Sequence, residues 1–319
     1  MALKYDPEFE AAAAPILEMM AQMPKPAVHD WKSRREGVKA SFGALLAAMP
    51  GFPDTERTEY KFKSFDGTEL CIYHIAKKGT ATTSGPAVLH IHGGGMIAGD
   101  TATFSKICEA GASTTGIPFF DVEYRLAPEQ QGTSLVEDCY AGLLWLHEHA
   151  KEFNVDASRI AVMGESAGGG IAAGLALYAR DKQLQPPIAK QILVYPMIDY
   201  TKTEPFPALS KYLVWTEESN LTGWTALLGD KIKSGDVSPY ASPAHVKDVS
   251  GLPSTYIDCG TLDLFRDEDT EYARRLAAAN VDVEYHLYPG VPHGFEAIAP
   301  NITASKQATA NRMKALMSF

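Results

Sequence analysis

Residues Gly164-Glu165-Ser166-Ala167-Gly168 set a serine between two glycines in a G-x-S-x-G pattern. Alone the pattern says little, since composition would produce one in roughly a tenth of chains of this length. Its setting says more. It follows the apolar run Ile160-Ala161-Val162-Met163 and opens a segment rich in small residues. A serine on a sharp strand-to-helix turn presents its hydroxyl for attack on an acyl carbon. The strained turn requires residues without side chains two before and two after it. Gly168, Gly169 and Gly170 make a poor helix start. Each costs about 1 kcal/mol, which close strand–helix approach would explain. The plain alternative is a small-residue helix start with no chemistry.

His92-Gly93-Gly94-Gly95 closes a predicted strand at 86–92. Glycines after a strand bare backbone N–H groups that can bind an anion or a developing oxyanion. An ordinary glycine-rich turn is the bland reading. His90 and His92 alternate along the strand and so share a face, which raises a metal reading. That reading needs further His and Asp ligands at other strand ends, and no metal is expected. A general base is offered by His293, in Pro289-Gly290-Val291-Pro292-His293-Gly294-Phe295, a loop setting that favours function over core packing. His147 and His149 lie two apart in a predicted helix and face different directions. After a nucleophile on such a turn, the acid comes next along the chain and the histidine last. Asp263 is the first carboxylate past the predicted strand 254–259. Asp267, Glu268 and Asp269 lie further on, at a helix start where they suit the dipole, and Asp258 lies within the strand.

The elements that must position these residues alternate. Predicted strands cover 86–92, 117–124, 159–163, 190–195, 254–259 and 281–288; predicted helices cover 103–114, 134–152, 167–181, 266–280 and 303–317. This alternation predicts an α/β fold, a mainly parallel sheet with helices on both faces. Strands at 58–64 and 69–76 flank Asp66-Gly67, a hairpin signal. Strand 281–288 alternates apolar and polar residues, which suits a sheet edge. Before the hairpin, Asp6-Pro7 and Asp30 cap two amphipathic helices. Phe9, Ala13, Ile16, Leu17 and Met20 form one stripe; Trp31, Val38, Phe42, Leu45 and Met49 form the other. Residues 197–250 break the rhythm, with one helical pattern near 216–228. The expected organisation is therefore cap helices over 1–52 and a catalytic domain over 53–319, with a cap insertion at about 197–250.

With 319 residues the chain can bury one large core. Its formal net charge of −10, without a Lys/Arg run, argues against nucleic acid and anionic membrane as partners. The most apolar stretch, 160–179, contains Glu165 and Ser166 and is no membrane span. Acidic residues in MALKYDPEFEAAAAP interrupt what a signal peptide would need, so a cytoplasmic location is expected. Cys71, Cys108, Cys139 and Cys259 are widely spaced, as free thiols in a reducing compartment would be.

The chain resembles the hormone-sensitive-lipase-like family of α/β-hydrolases. The resemblance rests on HGGGMIAGD (92–100), DVEYRLAPEQ (121–130), VEDCYAGLLWL (136–146), RIAVMGESAGGG (159–170), VSPYASP (237–243), DCGTLDLFRDE (258–268) and PGVPHGF (289–295), in the family's order. It implies carboxylesterase activity on a small-molecule ester of short to medium acyl length, without cofactor. It also implies an eight-stranded sheet and a cap made by the N-terminal helices and the insertion. It carries over Ser166, Asp263 and His293 as the catalytic triad, and Gly94, Gly95 and Ala167 as oxyanion N–H donors with Gly93 nearby. Met96, Ile97, Tyr195, Leu264 and Val291 are expected as pocket walls. The edge strand 281–288 is expected to pair two copies into a homodimer. Two departures stand out: Gln130-Gln131-Gly132-Thr133 replaces a proline-containing turn, and Met96 stands where an aromatic residue is common. An amidase or deacetylase on the same triad, or a non-catalytic receptor, are the rival readings.

Overall fold

The computed structural model describes residues 3–79, 84–202 and 207–319; residues 1–2 and 203–206 of the two expected cap segments lie outside them. Eight strands are β1 (Thr55–Lys63), β2 (Glu69–Lys77), β3 (Gly85–Ile91), β4 (Phe119–Val122), β5 (Val155–Glu165), β6 (Lys190–Val194), β7 (Ser254–Gly260) and β8 (Val283–Tyr288). The helices among the described residues are α1 (Pro7–Gln22), α2 (Trp31–Ala47), α3 (Thr101–Thr115), α4 (Ser134–His149), α5 (Ala167–Asp181), α6 (Glu217–Leu228), α7 (Lys231–Ser234), α8 (Arg266–Ala278), α9 (Phe295–Ile298) and α10 (Thr303–Leu316). None is long and apolar enough to cross a membrane.

The strands form one sheet in the order β1-β2-β4-β3-β5-β6-β7-β8. The β1–β2 and β2–β4 pairs are antiparallel and the others parallel. The chain leaves β3 toward β4 on one side and leaves β5 toward β6 on the other. Loops after β3 and β5 therefore diverge, opening a crevice at the strand ends. The glycine-rich loop and Ser166 sit at these two ends. Alternation along each strand feeds two cores. Leu89, Phe120 and Val162 join Leu143 of α4 and Ala172 of α5. Val88, Phe119 and Met163 join Cys108 of α3 and Leu316 of α10 on the other face.

Several boundaries differ from expectation. β5 is longer, starting at Val155. β8 starts at Val283 because the Val281 N–H donates to Leu276 O and so belongs to the turn that ends α8. The first helix is capped by Asp6, which accepts from the N–H groups of Glu8 and Phe9, and the second by Asp30, which accepts from Ser33. Phe9 and Ala13 of α1 are buried against Tyr288, Val291 and Phe295. In α2 Leu46 and Arg34 are buried, and Arg34 donates to Thr222 Oγ1 and Ser219 Oγ of α6. Thus α2 is tied to the insertion by hydrogen bonds that no apolar stripe could announce.

Candidate active site

Strand β5 ends at Glu165 and α5 begins at Ala167, so Ser166 makes the turn alone, at φ +58° and ψ −120°. How tightly strand and helix approach is shown by two glycines. A Cβ on Gly164 would stand 2.4 Å from the Gly168 carbonyl, and one on Gly168 would stand 2.0 Å from Ile91 O. No side chain fits at either position. The turn is held from β6: Ser166 N–H donates to Val194 O, and Met197 N–H donates to Ser166 O, each at 2.9 Å.

His293 lies in the loop after β8, where Gly294 at φ +66° turns the chain into α9. The Ser166 hydroxyl donates to His293 Nε2 at 2.9 Å, and His293 Nδ1 contacts Asp263 Oδ2 at 2.7 Å. Asp263 is fully buried, and its Oδ1 accepts the Phe265 N–H at 3.0 Å. The imidazole is wedged edge-on against Tyr195 and Phe265, with ring centroids 4.5 and 5.2 Å away. Residues following β5, β7 and β8 thus form one hydrogen-bonded row. Such a row can take a proton from the serine while the carboxylate fixes the imidazole tautomer.

Strand β3 stops at Ile91, so His92 leaves the strand face that His90 occupies. The His92 ring stacks between Phe104 and Tyr124, and its Nδ1–H donates to Gly93 O at 2.8 Å. His90 instead contacts Asp121 and Glu165 through its two ring nitrogens. The two imidazoles therefore have separate partners, contrary to the shared face that their spacing suggested. Past His92 the chain reverses through Gly94 (φ +122°) and Gly95 (φ +62°). Among the described residues, the N–H groups of Gly94 and Gly95 donate to no partner. The Ala167 N–H, first in α5, has no intrahelical acceptor. Free donors of this kind can hold an oxyanion.

The α/β-hydrolase fold family matches residues 88–297. The chain belongs to this family. The relatives and solved structures it resembles are esterases. Carboxylesterase NlhH of Mycobacterium tuberculosis is 34% identical over 290 residues, covering 88% of this chain and 89% of that protein. Esterase LipI of the same organism is 33% identical over 231 residues, covering 72% of each. A solved bacterial heroin esterase superposes with a TM-score of 0.88 at 36% identity, covering 98% of this chain and 97% of that one.

In this α/β-hydrolase the cavity at Ser166 is lined by Gly93, Gly94, Gly95, Glu165, Tyr195 and His293 from the sheet side. Val38 and Phe42 of α2, Phe104 of α3, and Val214 and Trp215 line the rest. Of the expected walls, only Tyr195 lines it. Met96 and Ile97 are buried in the main core, because Met96 takes φ +66° and the chain folds inward there. Val291 packs with Phe9 and Phe295, and Leu264 packs against the main core. The residues that sequence reading missed come from α2, α3 and the insertion; the apolar stripe of α2 was the available signal for Val38 and Phe42. Trp215 covers the glycine loop so closely that a Cβ on Gly95 would stand 2.1 Å from its ring.

The other carboxylates near these strand ends lie outside the row. Asp258 holds Arg312, which also contacts Glu296, and Glu296 accepts the Tyr195 hydroxyl at 2.7 Å. Burial, with Glu296 alongside, keeps that hydroxyl far above its ordinary pKa. Asp267 is exposed and pairs with Arg266. Glu268 turns inward to accept the N–H groups of Ile198 and Asp199, and Asp269 is fully buried. The departing loop docks on the end of α6, with Gly132 N–H donating to Leu227 O at 2.8 Å. The four cysteines are free.

Proposed function

We propose that this chain is a carboxylesterase that cleaves short- to medium-chain acyl esters through a Ser166 acyl-enzyme. The observation that carries this reading is His293 bonded to both Ser166 and Asp263 at a strained strand–helix turn. His293 accepts the Ser166 proton as Oγ bonds to the ester carbonyl carbon. The carbonyl oxygen gains the electron pair and is held by the N–H groups of Gly94, Gly95 and Ala167. As the tetrahedral centre collapses, the C–O bond to the alcohol breaks and His293 H⁺ protonates the leaving oxygen. Water, deprotonated by His293, then attacks the acyl carbon; the acyl–Oγ bond breaks, the carboxylic acid leaves, and His293 returns the proton to Ser166 Oγ.

The apolar lining by Val38, Phe42, Phe104, Val214 and Trp215 suits an acyl chain. Residues 1–52 and about 197–250 serve as the cap in this reading, and the free cysteines suit a cytoplasmic location. The test is a panel of nitrophenyl esters of increasing acyl length beside matching anilides. Acetyl to hexanoyl esters are expected to be turned over at least about 100-fold faster than anilides; preference for anilides would make the chain an amidase. Trp215→Ala, which uncovers the glycine loop, is expected to raise the ratio of long- to short-chain kcat/KM about tenfold. An unchanged ratio would remove Trp215 from the acyl site.

Strand β8 ends the sheet and has no strand partner beyond it among the described residues. We propose that two copies pair there as a homodimer. Sedimentation at micromolar concentration should give twice the mass of 34.6 kDa; a monomer throughout would refute it.

A further inference from the structure

Beneath the elbow lies a buried charge group that the reaction above does not use. His90 is paired with Asp121 across β3–β4 and with Met163 across β3–β5. Its ring is fully buried, with Nδ1 2.8 Å from Asp121 Oδ1 and Nε2 3.0 Å from Glu165 Oε2. Ionised carboxylates only accept hydrogen bonds. With both carboxylates ionised, both contacts are hydrogen bonds only when each ring nitrogen carries a proton. The Nδ1–Asp121 spacing is that of a hydrogen bond. Burial works against a charge on His90, yet its neighbours, the Glu165 and Asp121 carboxylates among them, hold its pKa well above the ordinary histidine value. Burial pushes the nearby Cys108 thiol up to about 12, so it stays neutral.

Glu165 connects this group to the chemistry. It immediately precedes Ser166, lines the same cavity, and is only 4% exposed. A bare carboxylate there would oppose the negative charge that develops on the acyl oxygen, in surroundings that screen it poorly. Its backbone also spaces the two halves of the site. A Cβ on Gly93 would stand 2.9 Å from Glu165 O and 3.5 Å from Ser166 Cβ, so a shift of Glu165 moves the elbow against the glycine loop.

We infer that His90 is a positioning residue whose imidazolium, clamped between Asp121 and Glu165, neutralises and fixes Glu165 so that its charge does not oppose the oxyanion at Ser166. This rests on Ser166 being the nucleophile. The titratable groups facing His90 are Asp121 of β4, Glu165 of β5 and Cys108 of α3; Tyr124 and Tyr195 also feel Glu165.

The test is a double-mutant cycle of His90→Asn and Glu165→Gln, read as kcat and KM on one short-chain nitrophenyl ester. H90N is expected to lower kcat about 30-fold at mildly alkaline pH with KM changed less than about threefold. In the double variant the loss should be no greater than in E165Q alone, because the charge needing neutralisation is gone. If H90N alone does not fold, recovery of folded, active protein on adding E165Q is the same result. Losses that multiply, a deficit that falls on KM rather than kcat, or a double variant that stays unfolded would overturn the inference and leave His90 a packing residue. Failure of the nucleophile assignment would look different: the parent protein itself would not be labelled at Ser166 by a fluorophosphonate.

Discussion

Ser166→Ala is expected to lower turnover of every nitrophenyl ester by at least about 10⁴-fold and to abolish covalent labelling by a fluorophosphonate. The substitution removes the only hydroxyl bonded to His293 Nε2 among the described residues. It leaves Gly94, Gly95 and Ala167 in place, so substrate binding should fall far less than turnover. Because alanine meets the same left-handed φ of +58°, the melting temperature should stay close to that of the parent. Ser166→Gly separates the two contributions. Glycine adopts this backbone without strain, and should stabilise the fold by about 1 kcal/mol while being equally inactive. Undiminished labelling of the alanine variant would place the nucleophile elsewhere.

The elbow was readable because its requirement is local. Gly164 and Gly168 are needed where a Cβ would collide with backbone, and a strand–turn–helix pattern shows in a dozen consecutive residues. The sheet was readable for a similar reason, since alternation of strands and helices leaves few ways to build a parallel core. The cavity was not. Choosing walls by nearness to strand ends picked Met96, Ile97, Leu264 and Val291, but a left-handed turn at Met96 carries that stretch into the core. The residues that line the site from α2 and 214–215 arrive by long-range packing, fixed partly by the buried Arg34. Charge likewise misled. Glu268 and Asp269 suited a helix start and do stand in the first turn of α8, yet both are buried, Glu268 accepting two backbone N–H groups beyond the end of β6. The His90–His92 spacing suggested a common face, which vanished because β3 ends between them.

Asp263→Asn is expected to lower kcat by on the order of 10⁴-fold, because it reverses the polarity of one hydrogen bond. Asp263 Oδ1 accepts the Phe265 N–H, while Oδ2 faces His293 Nδ1 at 2.7 Å. An asparagine amide must keep its oxygen toward Phe265, since an NH₂ group there would meet another donor. Its NH₂ group then points at His293 Nδ1 and can only donate. The imidazole is forced to carry its proton on Nε2, facing the Ser166 hydroxyl that it should deprotonate. Stability should move the other way. Buried Glu268 and Asp269 both have pKa values raised well above the usual carboxylate range, burial being the largest cause and Asp263 a further one. Removing the Asp263 charge relieves that repulsion, so the melting temperature is expected to hold or rise while activity collapses. Asp267→Asn serves as the control: its carboxylate is exposed and pairs with the neighbouring Arg266, and kcat should change less than about threefold. Kinetics and thermal melts of both variants decide the matter. An Asp263→Asn protein that keeps a tenth of its activity, or one beaten in severity by Asp267→Asn, would show that His293 is oriented by some other group.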